Sequence, residues 1–217
     1  MPTIREMRCE LACLKNVDGS CNFSQGYTAV MASCSGPGDV HAARADEQKM
    51  ILEVSFRAAA GDNKFHRLNN IITSTIANVI NKELFPNTTL VVTIHGLQDD
   101  GSMGAAAINS TCFALLDNGI PFRTLFCGVN VVKVNGELIV DPTAKNEANS
   151  EANMMFVLEY DPKEDPKIAA IDITGAHQYE EVDKASQLAI QAAINIFAFI
   201  RASVTKKLSV DLEHTVS

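Results

Sequence analysis

The chain has 217 residues, 47% of them hydrophobic and 20% charged, with 18 Lys+Arg against 26 Asp+Glu for a formal net charge of −8 and an isoelectric point near 5.1. That length can bury most of the surface of an unfolded chain without disulfides or metals, and an ordinary apolar fraction with few Pro and Gly excludes disorder as the main state. An acidic chain is also a poor free-standing binder of DNA or RNA, because neutralising phosphates needs Lys and Arg.

The start, Met1-Pro2-Thr3-Ile4-Arg5-Glu6, lacks the basic and apolar regions of a secretory signal, and no stretch reaches the roughly 18 apolar residues that span a bilayer. The first third reads as strands joined by turns. Residues 10–14 lead to the turn Asn16-Val17-Asp18-Gly19-Ser20, residues 21–26 follow, and residues 27–33 alternate until Gly36-Pro37-Gly38 stops them. Residues 50–56 alternate again, with Ile51, Glu53 and Ser55 opposite Met50, Leu52, Val54 and Phe56, as in a half-buried strand.

The period then changes. Leu68, Ile71, Ile72, Thr75, Ile76, Val79 and Ile80 recur at helical spacing. Residues 90–97 form a β-branched strand, and Asp100-Gly101-Ser102 caps a second helix running to Asp117-Asn118-Gly119. Its stripe is Ile108, Cys112 and Leu115, with Ala105, Ala106 and Ala107 permitting close packing. Residues 125–134, 137–140, 154–160 and 168–174 read as strands, with Val134-Asn135-Gly136-Glu137 a hairpin turn. A long helix from Tyr179 carries the stripe Ile190, Ile194, Phe197, Ile200, Val204 and Leu208, and residues 211–217 fray. With no linker or repeat, the pattern is one α+β domain over 1–217 with its core at about 8–210.

The six cysteines form no C-x-x-C pair and match no His at zinc spacing, so they read as reduced thiols of an intracellular protein, with Cys112 and Cys127 acting as small hydrophobes. No metal site is signalled. Asp141, Glu147 and Glu151 cluster after a strand end. They suit a divalent cation or a general acid, but from the residues alone a solvated acidic loop is the favoured reading. Gly101-Ser102-Met103-Gly104 opens a helix whose free N–H groups form an anion site in principle. Lys64-Phe65-His66-Arg67 is the nearest thing to a basic patch, or else the solvated first turn of a helix. No Walker loop, Rossmann fingerprint, Ser-His-Asp set or H-E-x-x-H helix is present.

Several spaced segments together resemble the RNase PH-like family of bacterial RNase PH, polynucleotide phosphorylase and the RNA exosome ring. They are Asn16-Val17-Asp18-Gly19-Ser20, Ser24-Gln25-Gly26-Tyr27-Thr28-Ala29-Val30 with Ser35-Gly36-Pro37, Leu97-Gln98-Asp99-Asp100-Gly101, residues 109–121 from Asn109-Ser110-Thr111 to Asn118-Gly119-Ile120-Pro121, and Val140-Asp141-Pro142-Thr143. Within the family, Leu125-Phe126-Cys127-Gly128 and Asp141-Pro142-Thr143-Ala144-Lys145 are most similar to eukaryotic ring subunits of the component-five type, whose relatives include a cell-death-related nuclease. The resemblance implies an RNase PH-like fold (ribosomal protein S5 domain 2-like), two β-α-β halves with a long C-terminal helix.

It also implies a site. Phosphorolytic members cleave the terminal RNA linkage with inorganic phosphate, a displacement in which catalysis rests on holding the anion and neutralising charge. Their Gly-Gly-Thr-Arg run reads Gly101-Ser102-Met103-Gly104 here, so Met103 and Gly104 replace the hydroxyl and the guanidinium. Without the bidentate Arg, a charge-assisted bond of about 1.5–3 kcal/mol is missing. A second family Arg has only Lys64 or Arg67 as candidates. The first carboxylate falls on Asp141, the general-acid Asp becomes Glu147, and a later Asp becomes Asn153.

The implied function is a non-catalytic, structural and RNA-binding subunit of the exosome ring, supporting 3′–5′ RNA degradation, rRNA processing and RNA surveillance in nucleus, nucleolus and cytoplasm. Its implied partners are other RNase PH-like subunits in a heterodimer or hexameric ring, the cap subunits, a second copy in isolation, single-stranded RNA and DNA, and no membrane. The alternative is a homodimeric nuclease on RNA or DNA, phosphorolytic or using Mg²⁺, with a role in apoptotic DNA degradation. Arg57, Lys64, His66 and Arg67 are the expected phosphate-facing residues. Residues 1–98 hold 9 basic and 9 acidic side chains and residues 99–217 hold 9 and 17, so the whole excess of −8 lies in the second part.

Overall fold

The computed structural model describes residues 3–39, 46–58, 66–161 and 165–216, without the side chains of residues 66 and 210–216. Its elements run β1 (Met7–Leu11), β2 (Gly19–Gln25), β3 (Thr28–Asp39), β4 (Ile51–Ala58), α1 (His66–Val79), β5 (Thr88–Gln98), α2 (Met103–Asn118), β6 (Leu125–Val134), β7 (Glu137–Val140), α3 (Ala144–Ala148), β8 (Ala152–Tyr160), β9 (Lys167–Gly175) and α4 (Tyr179–Val216). Two sheets result, ordered β1-β2-β3-β5-β4 and β7-β6-β8-β9. Every neighbouring pair is antiparallel except β4 with β5.

Alternation builds the first sheet. In β3, Thr28, Val30, Ala32 and Cys34 are buried while the residues between them are half-exposed, and β5 buries Leu90, Val92, Ile94 and Gly96 on the same side. This inner face meets α2, which packs on β2 and β3 and, from its other side, on β6. A helix enclosed by both sheets needs apolar or small residues all round. Accordingly α2 is buried at Met103 and from Ala105 through Leu115, far beyond the expected three-residue stripe. Burial pushes the Cys112 thiol up to about 12, as suits a small hydrophobe. The helix ends as its sequence implies, on Gly119 at φ +81°. The β6–β7 connection is the expected two-residue turn, with Asn135 and Gly136 both at positive φ, +51° and +80°.

Three expectations change. First, β3 does not stop at Gly36-Pro37-Gly38 but passes through it, because the ladder to β5 shifts register between Ser35 and Gly38, so Pro37 is never asked for an N–H. Second, residues 141–151 are not only a loop, since α3 forms inside them. Third, α4 buries Ala185, Ala189, Ala192, Ala193, Ile196, Phe197 and Ile200, while Ile194 and Leu208 lie outward at 52% and 57% exposure. Alanines let the helix lie close to β6 and β8, and Phe197 stacks on Tyr160 with ring centroids 5.1 Å apart. The same helix holds an 18-residue window apolar enough by length and composition to cross a bilayer, and it packs on β6 and β8. The backbone of α4 is helical through Val216.

One buried cluster draws side chains from both sheets and from α1, α2 and α4. On top of it, the β5–α2 loop and the β7–α3 loop meet.

Candidate functional site

The β5–α2 loop is folded by its own chemistry. Gly101 sits at φ +86°, and a Cβ there would lie 2.5 Å from the Pro142 carbonyl oxygen and from the Thr143 carbonyl carbon, so only glycine allows the two loops to touch. Thr28 ties the loop to β3: its hydroxyl donates to the Gly101 carbonyl at 2.6 Å and accepts from the Asp100 N–H at 3.1 Å. The Ala144 N–H donates to the Asp100 carbonyl at 3.0 Å.

Ser102 precedes α2 but is no ordinary N-cap. It is left-handed, at φ 59° and ψ 27°, and makes no side-chain capping bond. Its hydroxyl donates instead to the Pro142 carbonyl at 3.0 Å, and its N–H donates to Glu147 Oε1 at 2.7 Å. Asn130 Nδ2 donates to the same carboxylate oxygen at 2.9 Å. Glu147 reaches this place from α3, whose Thr143 carbonyl accepts its N–H at 3.0 Å.

Met103 and Gly104 lie in the expected positions of the chain, yet neither side chain offers anything to an anion. Met103 is 4% exposed and packs in the core. Its Sδ lies 3.0 Å from the point where a Cβ on Gly96 would stand. At Gly104 a Cβ would meet Met155 Sδ at 2.6 Å. The volume an Arg side chain would leave through is therefore filled by a thioether. Of the degenerate anion site Ser102, Met103 and Gly104, Met103 turns its side chain into the core, because a thioether next to Gly96 and Phe56 gains from burial.

Asp141 follows β7 at φ +53° and is 7% exposed. Its N–H donates to the Asn130 carbonyl at 2.8 Å. The carboxylate receives Arg5 in fork geometry, Nη2 to Oδ1 at 2.7 Å and Nε to Oδ2 at 3.0 Å, and the Arg5 backbone N–H adds a third bond at 2.9 Å. The remaining Arg5 donors go to the carbonyls of Asp100 at 2.9 Å and Gly101 at 3.2 Å. Burial pushes the Asp141 carboxyl up, but the hydrogen bonds and charge of Arg5, with help from Gln25, outweigh it and hold it below its ordinary value. Sequence reasoning missed Arg5. The one available signal was chemical: an aspartate that follows an apolar strand into the protein needs a cation, and this one lies 136 residues away.

These bonds decide whether Mg²⁺ fits. The guanidinium already holds both Asp141 oxygens, and two N–H donors converge on Glu147 Oε1. A hard cation needs free carboxylate oxygens, so this donor set does not suit it. Among the described residues, no group of three or more His, Cys, Asp or Glu is placed to hold a metal ion.

The expected nucleic-acid residues form a separate region. Arg57 is exposed on β4, in register with His95 of β5. Lys64 lies outside the described residues, and so does the side chain of His66, whose backbone opens α1. Arg67 is 71% exposed and pairs with Asp172 of β9 at 3.3 Å. The structure thus brings Asp141, Glu147 and Ser102 together and leaves Arg67 engaged with β9.

Comparison with known proteins agrees with this architecture. A model of the first domain of the 3′ exoribonuclease family matches residues 3–121, and a model of its second domain matches residues 124–192. The chain is 56% identical to the exosome complex component RRP46 homolog of Caenorhabditis elegans over 208 residues, 96% of this chain and 97% of that one. It is 27% identical to the exosome complex component Rrp41 of Archaeoglobus fulgidus over 94% of this chain and 83% of that one. Among solved structures, rice Rrp46 superposes with a TM-score of 0.87 at 23% identity, covering 94% of this chain and 96% of that one. Cell-death-related nuclease 5 of C. elegans superposes at 0.71 with 45% identity, covering 95% and 98%. Two sheets around a central helix, with a long C-terminal helix, are the RNase PH-like fold, and the chain belongs to the 3′ exoribonuclease family.

Proposed function

We propose that this chain is a structural, RNA-binding subunit of an exosome ring that does not itself carry out phosphorolysis. The observation that carries the reading is Asp141, held by both nitrogens of an Arg5 fork. An acid or metal-binding role at that position would require the carboxylate to give up Arg5, which neutralises it from the segment before β1. The family's hydroxyl and guanidinium on the anion are replaced by a core methionine and by a glycine packed on Met155. Relatives named as exosome components, one of them 56% identical across nearly its full length, support the ring assignment.

The proposal extends to partners. The chain pairs with other RNase PH-like subunits and cap subunits in the ring, forms a dimer with itself when alone, and acts in nucleus and cytoplasm on single-stranded RNA. The test is incubation of purified protein with end-labelled single-stranded RNA, with and without inorganic phosphate and with Mg²⁺ or Mn²⁺, followed by sizing with and without the other ring subunits. Intact RNA and co-elution with those subunits are expected. Phosphate-dependent release of nucleoside diphosphates would overturn the non-catalytic reading, and metal-dependent cleavage of RNA or DNA would favour a nuclease, as the name of the 45%-identical structure suggests.

A further inference from the structure

We infer that the Glu147 carboxylate is a built-in anion: it fills, from within the chain, the site at the start of α2 that would otherwise take inorganic phosphate. The inference rests on the proposal that phosphorolysis has been lost, and it says what now occupies the vacated place. The first N–H groups of a helix have no partner within it and carry the positive end of its dipole, so an anion seated there is stabilised. α2 is 16 residues long. Its entering N–H belongs to Ser102, a residue 1% exposed, and donates to Glu147 Oε1 at 2.7 Å, the short length of a charge-assisted bond. Asn130, 6% exposed, independently directs Nδ2 at the same oxygen at 2.9 Å. Two buried donors from different elements therefore converge on one carboxylate oxygen.

The surrounding geometry fixes the occupant. Ser102 donates its hydroxyl to the Pro142 carbonyl, Gly101 lies against Pro142 and Thr143, and the Ala144 N–H bonds the Asp100 carbonyl, so the loop that carries Glu147 is fastened to the loop it plugs. The Ser150 hydroxyl bonds the Glu147 carbonyl at 2.7 Å and holds the residue's backbone from the other side. Glutamate has one methylene more than aspartate, and from a backbone position on α3 that extra reach brings the carboxylate to the Ser102 N–H.

A built-in anion can be deleted and replaced from solution. The Glu147→Ala variant should melt about 4–8 °C below the wild type, the shift for losing charge-assisted bonds worth roughly 2 kcal/mol in a chain of this size. Inorganic phosphate should then recover at least half of that shift, measured against chloride at equal ionic strength, while the wild type shows no such difference. Glu147→Gln keeps the oxygen in place without its charge, so it should melt lower than wild type and gain nothing specific from phosphate. If E147A does not fold in chloride, refolding yield in phosphate against chloride reads the same rescue. No difference between phosphate and chloride for E147A, or an equal phosphate response in wild type, would overturn the inference. The two readings fail separately, since nucleoside diphosphate release by the wild type overturns the loss of phosphorolysis and leaves the melting comparison to decide the anion.

Discussion

Arg5 and Asp141 show how one pair of residues keeps a buried carboxylate ionised. Asp141 is almost wholly buried, and a carboxylate taken out of water without a partner is strongly disfavoured. The guanidinium offsets that cost by holding both carboxylate oxygens. Arg5→Ala should therefore destabilise the chain by about 3–5 kcal/mol, the usual loss when one partner of a buried pair is deleted, read as a lower urea midpoint with unchanged slope. Asp141→Asn should cost less, because the charge it leaves behind is the more exposed Arg5 guanidinium, which keeps Asp100 at 3.7 Å and its carbonyl partners. The pH dependence follows from the same bonds. Asp141 has its folded value below the unfolded 3.8, so its contribution is present in full above about pH 4 and is lost as pH falls through the folded value. Urea midpoints followed down from pH 7 should drop for the wild type below pH 4, and less steeply for Asp141→Asn. Equal slopes for the two proteins would mean that the pair does not set the acid limb.

At the scale of elements, α2 shows what was legible and what was not. Its boundaries, its glycine C-cap and its run of alanines could be read from residues 100–119, and the β6–β7 turn from Asn135-Gly136. What periodicity could not show is that α2 is enclosed on both sides, because the polar run Asn109-Ser110-Thr111 looks like a solvated face. All three are fully buried. Asn109 substitutes for a missing strand: β7 pairs only with residues 131–134 of β6, and at Gly128 the Asn109 amide accepts the N–H at 2.8 Å and donates to the C=O at 3.2 Å. Helix and strand approach so closely there that a Cβ on Gly128 would stand 2.9 Å from Ala105 Cα. Asn109→Leu should cost about 2–4 kcal/mol, since it leaves two buried main-chain groups unpaired at nearly constant volume. Gly128→Ala should cost about 1–3 kcal/mol by overpacking. Chemical denaturation with retained far-UV dichroism checks both, and a neutral Asn109→Leu would show that water can replace the amide. The candidate site was half legible for a related reason. Motif positions locate Asp141, Glu147 and the start of α2, whereas their partners Arg5, Asn130 and Met155 come from distant segments with no local signal.

For the whole molecule the question is how a chain of net charge −8 would hold RNA as proposed. The excess acidity belongs to residues 99–217, and one of those acids reaches across to the proposed binding surface: Asp172 of β9 pairs with Arg67 of α1 at 3.3 Å. With Arg67 71% exposed, this pair is weak and contributes little to stability. Its effect is electrostatic competition, because a phosphate must displace the carboxylate to use the guanidinium. Lys64→Glu combined with Arg67→Glu should weaken binding to single-stranded RNA and flatten the log–log salt dependence by up to about 1.4, roughly 0.7 for each phosphate no longer neutralised. Asp172→Asn should act in the opposite direction, tightening binding and steepening the salt dependence while leaving the melting temperature within about a degree of wild type. Fluorescence anisotropy across a salt series measures all of these on one labelled oligonucleotide. If Asp172→Asn left both affinity and slope unchanged, Arg67 would not face phosphate, and the proposed binding would rest on Arg57, Lys64 and His66.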